Sequence, residues 1–218
     1  MKAIIPYTQI FQDFDGEKVL KKIELCGRTC YQSEHKITDD SAAPFVRGLI
    51  HRGHEAMLEH QSVTVKFVVD RGISHEIVRH RLSSFAQEST RYCNYSKDKF
   101  GSEIAVIANE DVKEDNLYGL LGVPYSGVRK DLTAAYVWEY ANKTAQWAYM
   151  TLIDLFGWSP QQARRILPLD TATTIYHTAF ESDWKDFMDK RWAGKTGKPH
   201  PDMLLITKQL KELLNYED

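Results

Sequence analysis

Cysteine is scarce. Cys26, Cys30 and Cys93 are the whole complement of a 218-residue chain. An odd count with no Cys-x-x-Cys spacing argues against a disulfide framework and against a zinc ribbon. Long apolar runs are missing as well; none approaches the roughly 20 residues that a membrane span needs. Lys2 is followed by only three apolar residues before Pro6, which does not make a signal peptide. The expected compartment is therefore the cytoplasm, with no membrane partner. Nor is there an excess of positive charge. The 28 Lys and Arg against 30 Asp and Glu leave −2, so no overall basic field draws the chain to a nucleic acid polymer. No Gly-x-Gly-x-x-Gly or Walker loop occurs, so a dinucleotide, if bound, is not held in a Rossmann crevice. Repeats, low-complexity tracts and clear linkers are absent too.

What is present suits an ordinary globular protein. Apolar residues make up 43% of the chain. At this length roughly 70% of the unfolded surface can be buried, so a core needs no staples. The mixture of helical and strand patterns reads as α+β or α/β.

The pattern places a short strand in 1–11 and a helix over 15–31. A second helix over 39–53 is capped by Asp39, Asp40 or Ser41, with Pro44 in its first turn and Gly53 at its stop. Val63, Val65, Phe67 and Val69 alternate with Thr64 and Lys66, the mark of a half-buried strand, which Arg71-Gly72 breaks. Residues 73–85 read as helix. A long helix is expected over 130–156, then a short one with Ser159 as cap and Pro160 first. A Thr- and Ile-rich strand follows at 171–180, and helices at 183–192 and 201–214. Residues 94–128 are the least regular, with one strand expected at 104–108.

The densest chemistry lies in 79–91: Arg79-His80-Arg81-Leu82-Ser83-Ser84-Phe85-Ala86-Gln87-Glu88-Ser89-Thr90-Arg91. Fixing arginine side chains costs entropy, and exposed ion pairs return little, so guanidiniums beside hydroxyls point to an anion. On a helix Arg79 and Arg81 would stand about 200° apart and could not grip one small group. Either one is structural, or they serve two ligands, or a ligand and a subunit, or they form a solvated basic patch. At 87–91 a turn with successive backbone N–H groups makes a concave donor surface for phosphate, which Arg91 would clamp. The plainer alternative is a Ser/Thr capping turn with a surface arginine.

Other residues are weighed the same way. His51, His54, Glu55 and His60 invite a metal reading, but the second histidine falls six residues on, after a glycine. No metal is expected. His54 reads as a core or ligand-stacking residue, and Glu59 with His60 as a buried pair. Arg164, Arg165 and Arg191 read most simply as helix surface. The cysteines read as buried small apolar residues, although Cys93 after Arg91-Tyr92 admits a lowered pKa.

Arg79-His80-Arg81, seven residues, then Ser89 resembles the signature of flavin-dependent thymidylate synthases. So do His51-Arg52-Gly53-His54-Glu55 with Glu59-His60, Ser74-His75-Glu76-Ile77-Val78-Arg79, Ala163-Arg164-Arg165-Ile166-Leu167-Pro168-Leu169, and Phe187-x-x-x-Arg191, in the same order. The resemblance implies methylation of dUMP to dTMP. Methylene-tetrahydrofolate gives the carbon, reduced FAD gives the hydride, and NADPH re-reduces the flavin. It also implies a single domain spanning 1–218 of α+β class, with a central, largely antiparallel sheet flanked by helices, and a homotetramer with active sites between subunits. It places Glu76, Arg79, Gln87, Glu88, Ser89, Thr90, Arg91, Arg164 and Arg191 at dUMP-contacting positions. His54, Ala56, Arg79, His80, Arg81, Leu82, Gln87 and Asp186 fall at flavin-contacting positions. Arg191 falls where the family polarises the pyrimidine. Ala56, Phe180, Ser182 and Asp186 depart from the family's residues around the flavin; Asp186 in particular sits poorly beside a phosphate. Those departures motivate a rival, a non-catalytic nucleotide-binding module on the same scaffold. A flavin reductase is a third reading.

Overall fold

The computed structural model describes residues 1–11, 15–108, 133–214 and Tyr216. Instead of one N-terminal strand there are two, β1 (Lys2–Ile4) and β2 (Tyr7–Ile10). Pro6, which has no amide hydrogen to give to a ladder, stands at the break. Helix α1 (Gly16–Thr29) starts at Asp15, whose carboxylate accepts from the Lys18 amide at 3.2 Å. Helix α2 (Ala42–His51) follows, with Ser41 before it, Pro44 in its first turn and Gly53 at φ +69° past its end. The two helices pack through Ile23, Val46 and Leu49, with Leu58 beneath. Gly27 permits this approach: a Cβ there would lie 2.8 Å from the Phe45 ring.

Strand β3 (Ser62–Asp70) alternates at first and is then buried on both faces. It runs into helix α3 (Arg71–Ile77), where the Asp70 carboxylate accepts from the Ile73 amide at 2.8 Å. The expected helix over 73–85 stops at Ile77. A turn takes 78–82, and β4 (Ser83–Gln87) follows. The five residues of β4 alternate half-buried and exposed, and cross-strand pairing prevails over the helical pattern there. Arg79 and Arg81 therefore lie in a turn, and the helical 200° separation does not apply.

Strand β5 (Ala105–Ile107) pairs in parallel with β1. Helix α4 (Ala134–Asp154) begins at Thr133, whose hydroxyl accepts from the Tyr136 amide. Its expected start at 130 lies outside the described residues. Helix α5 (Pro160–Ala163) carries the expected Ser159 cap, with Gln162 completing a capping box. Strand β6 (Ala172–Phe180), α6 (Glu181–Arg191) and α7 (Pro201–Leu214) complete the chain.

The main sheet has the order β2-β3-β6-β4. Thr64 meets Thr178 at one end of the β3–β6 pair, and Arg71 donates to Leu169 beyond the other. The pair is thus antiparallel. Ser83 with His177, and Glu88 with Thr174, make β4 and β6 antiparallel in the same way. The α+β class with a largely antiparallel sheet and flanking helices stands; the small β1–β5 sheet is parallel.

The chain alternates between two compact units. One comprises Met1–Tyr7, Val68–Ile77 and Gln87–Ile175; the other Thr8–Phe67, Val78–Ala86 and Tyr176–Asp218. The first has Tyr95, Ile104, Val106, Tyr149 and Ala163 at its core. The second buries Phe67, His177, Trp184 and Phe187 as a ring cluster beside the α1–α2 core. No described helix is long and apolar enough to cross a membrane.

Candidate active site

In the first unit the chemistry gathers where β4 ends. The side-chain amide of Gln87 donates to Ser74 Oγ at 3.0 Å and to Thr173 Oγ1 at 3.3 Å. Glu88 is held at three points. Its amide donates to the Thr174 carbonyl at 2.9 Å, its carbonyl accepts from Arg71 Nη2 at 3.1 Å, and its carboxylate accepts from the Tyr95 hydroxyl at 2.5 Å. Tyr95 is buried, and burial with the Glu88 carboxylate beside it pushes its pKa well up. The phenol stays protonated and keeps donating.

A tight turn follows. The Tyr92 and Cys93 amides donate to the Ser89 carbonyl, and the Arg91 amide to Ser89 Oγ at 3.3 Å. The capping turn is therefore real, and the expected run of donor amides narrows to two. Those of Ser89 and Thr90 have no partner among the described residues. Arginines surround this turn. Arg164 Nη1 donates to Thr90 Oγ1 at 3.3 Å, and Arg91 Nε to Gln161 Oε1 at 3.0 Å. The Arg91 guanidinium also lies 5.3 Å from the centroid of the Tyr92 ring. Glu76 lies half-buried on α3, the helix that supplies Ser74.

The second unit holds the other group. Arg79 and Arg81 are exposed on the 78–82 turn. Leu82 is 79% exposed at φ +59°, a left-handed conformation that leucine rarely adopts. His80 lies inward, with its side chain only 8% exposed, against the Phe187 ring at 4.6 Å. Arg191 Nε donates to His80 Nε2 at 3.0 Å. Burial first, and the Arg191 charge second, push the His80 pKa down to about 4. The imidazole is thus neutral at pH 7, and its 3.9 Å approach to Asp186 is not an ion pair there. Asp186 pairs instead with Lys190 at 2.7 Å, which offsets the charge that sits poorly beside a phosphate. His54 and Ala56 are exposed at the start of the 3₁₀ turn Glu55–His60.

Several expectations are corrected. His54 is not a core residue, and Glu59 and His60 are exposed rather than a buried pair. Cys30 is exposed, and Cys26 and Cys93 are half-buried. Burial, with Glu88 nearby, pushes the Cys93 thiol up, not down. Sequence reasoning passed over Arg71, Tyr95, Gln161, Ser83 and His177. For His177 a signal existed: the inward positions of β6 are 173, 175, 177 and 179, and period-two alternation puts the imidazole among them. Arg71 was hidden because Asp-Arg-Gly reads as a strand break. Among the described residues no group of three or more His, Cys, Asp and Glu is placed to hold a metal ion.

The family described as "Thymidylate synthase complementing protein" matches residues 15–214, a span that takes in residues of both units. The flavin-dependent thymidylate synthase of Mycolicibacterium gilvum is 32% identical over 85% of this chain and 72% of its own length. The chain belongs to the flavin-dependent thymidylate synthase family. The Mycobacterium tuberculosis member is 31% identical over 86% of this chain and 71% of its own. Solved structures agree on the fold. A UMP/dUMP methylase PolB from Streptomyces cacaoi, bound with 5-Br dUMP, superposes with a TM-score of 0.70 at 17% identity, covering 98% of this chain and 91% of its own. Thymidylate synthase X from Helicobacter pylori, with FAD and dUMP, gives 0.62 at 18% identity, covering 95% and 92%.

Proposed function

We propose that this protein methylates dUMP to dTMP. Methylene-tetrahydrofolate is the carbon donor, FADH2 the hydride donor and NADPH the reductant of the flavin. The protein acts in the cytoplasm as a homotetramer with active sites between subunits, and residues 1–218 work as one domain. Family membership across 15–214 supports this reading. The single observation that carries it is the turn at 88–91, where Ser89 Oγ accepts from the Arg91 amide and Thr90 Oγ1 from the Arg164 guanidinium.

In this reading the nucleotide phosphate meets the Ser89 and Thr90 amides and the Arg91 and Arg164 guanidiniums, with Gln87, Glu88, Glu76 and Arg79 completing the dUMP contacts. Guanidinium recognises a phosphate by paired, charge-assisted bonds. Arg191 acts on the pyrimidine. Methylation at C5 needs electron density there, and Cys93, the cysteine that adjoins the 88–91 turn, has its thiol pushed up by burial, away from the thiolate that would add at C6. The negative charge that spreads over N3 and O4 is stabilised by a fixed cation in a dry site. Arginine, with a pKa above about 12, is an electrostatic stabiliser here and not a base. His80 Nε2 accepts a hydrogen bond from Arg191 Nε and so fixes how the guanidinium fork is turned.

The residues present fit a flavin dinucleotide. Arg79 and Arg81 are exposed cations on one turn, and the Asp186 charge is offset by Lys190. His54, Ala56, Arg79, His80, Arg81, Leu82, Gln87 and Asp186 would hold it. When bound, the flavin supplies redox chemistry that no side chain can. The rival, a non-catalytic nucleotide-binding module, rested on Ser182 and Asp186, and the Asp186–Lys190 pair weakens that motive.

The test is an absorbance spectrum of the purified protein, before and after dUMP. Flavin bands that shift on adding dUMP are expected. A sample that stays colourless after incubation with FAD would overturn the proposal.

A further inference from the structure

His177 is the most enclosed imidazole among the described residues, only 1% exposed. It stands on β6 with the Trp184 and Phe85 rings at 4.3 and 4.6 Å and Phe187 at 5.7 Å. Its Nε2 is 2.8 Å from Ser83 Oγ, while Nδ1 is buried with no hydrogen-bond partner. An orphaned buried N–H is rarer in proteins than an under-used acceptor. The proton therefore sits on Nε2, and the ring donates to Ser83. Burial, with His80 nearby, pushes the ring's pKa down to about 3, so it stays neutral. The Ser83 hydroxyl then has its own hydrogen to give, and the Arg81 carbonyl accepts it at 3.4 Å. Between Arg81 and Ser83 stands Leu82, left-handed and exposed. Its side chain packs against little, so the conformation must be imposed by its neighbours.

We infer that His177 is a positioning residue for the 79–82 turn: acting through Ser83, it fixes the Arg81 carbonyl and thereby the setting of Arg79, Arg81 and Leu82 for the flavin. The flavin half of this inference rests on the function proposed above. The hydrogen-bond relay itself does not. Nothing in the family resemblance singles out His177 or Ser83.

The experiment is amide hydrogen exchange on the ligand-free protein, followed by FAD titration. His177→Phe keeps a ring in the aromatic cluster and deletes the donor; Ser83→Ala deletes the middle of the relay. Loss of one net hydrogen bond should speed exchange at 79–83 roughly tenfold in either variant. The double variant should be no faster than either single one. His177→Gln, whose amide nitrogen reaches the place of Nε2, should restore slow exchange. FAD should bind roughly tenfold more weakly to the Phe and Ala variants. Unchanged exchange at 79–83 in His177→Phe would overturn the inference. So would equal acceleration across 63–69 and 184–187, which would mean that His177 merely fills the core. Fast exchange with unchanged FAD affinity would remove the flavin role and leave the relay. A parent protein that binds no FAD would sink the proposed function instead, and the exchange data would still decide the relay.

Discussion

Arg191 gives its Nε hydrogen to His80 Nε2 at 3.0 Å, so the cation of α6 is steered by a neutral imidazole on the 78–82 turn. A protonated ring has no acceptor to offer, so this contact exists only while His80 is uncharged.

Replacing Arg191 with Ala should lower turnover roughly 100-fold or more, while dUMP affinity changes far less, because its benefit arises as charge develops. Arg191→Lys should rescue little. Lysine keeps the charge but has no second nitrogen to lie against His80. Steady-state kinetics beside a dUMP binding titration checks this. A rise in Kd as large as the fall in kcat would make Arg191 a binding residue only.

Stability should fall on the acid side. The folded pKa values of His80 and His177, about 4 and about 3, lie below the ordinary 6.5. Between those values the unfolded chain binds more protons, so stability rises with pH up to about 6.5 and is complete above it. His80 faces Arg191, Asp186 and Lys190; the Asp186 charge works against the shift and the two cations with it. Melting midpoints at pH 7 and pH 4.5 should differ clearly, and His177→Phe should flatten the dependence. Equal midpoints would contradict both assignments.

Arg164→Ala should weaken dUMP by roughly tenfold or more, the value of a hydrogen bond to a charged group. Deoxyuridine, which lacks the phosphate, should bind the variant and the parent alike. Equal losses for both ligands would mean that Arg164 does not read the phosphate. Ser89→Ala should weaken dUMP modestly and leave turnover at saturation; abolished turnover with dUMP still bound would contradict a donor role.

Tyr95→Phe should leave the Glu88 carboxylate short of a donor, at a cost of about 1–3 kcal/mol. The melting midpoint should fall by about 2–4 °C for each of those kcal/mol. A midpoint equal to that of the parent would show that the 2.5 Å contact contributes nothing.

The sequence was most legible where local chemistry and tertiary packing agree. The start of α1 near Asp15, the Ser159–Pro160 start, the alternation in β3 and the Thr- and Ile-rich β6 all follow from nearest neighbours. It misled at 78–85, where a turn and pairing with β6 prevail over a helical spacing. It was blind to contacts made across the fold. No spacing rule predicts that Arg71 reaches the Glu88 carbonyl, or that Tyr95 reaches its carboxylate. The cysteines show a further limit, because low frequency and apolar character do not guarantee burial for Cys30.

Release of tritium from C5-labelled dUMP, with FAD, NADPH and methylene-tetrahydrofolate present, tests the central claim most directly. Release that needs all three, appears together with dTMP, and collapses in Arg191→Ala is the predicted result. Tight dUMP binding with no tritium released under any of these conditions would contradict it.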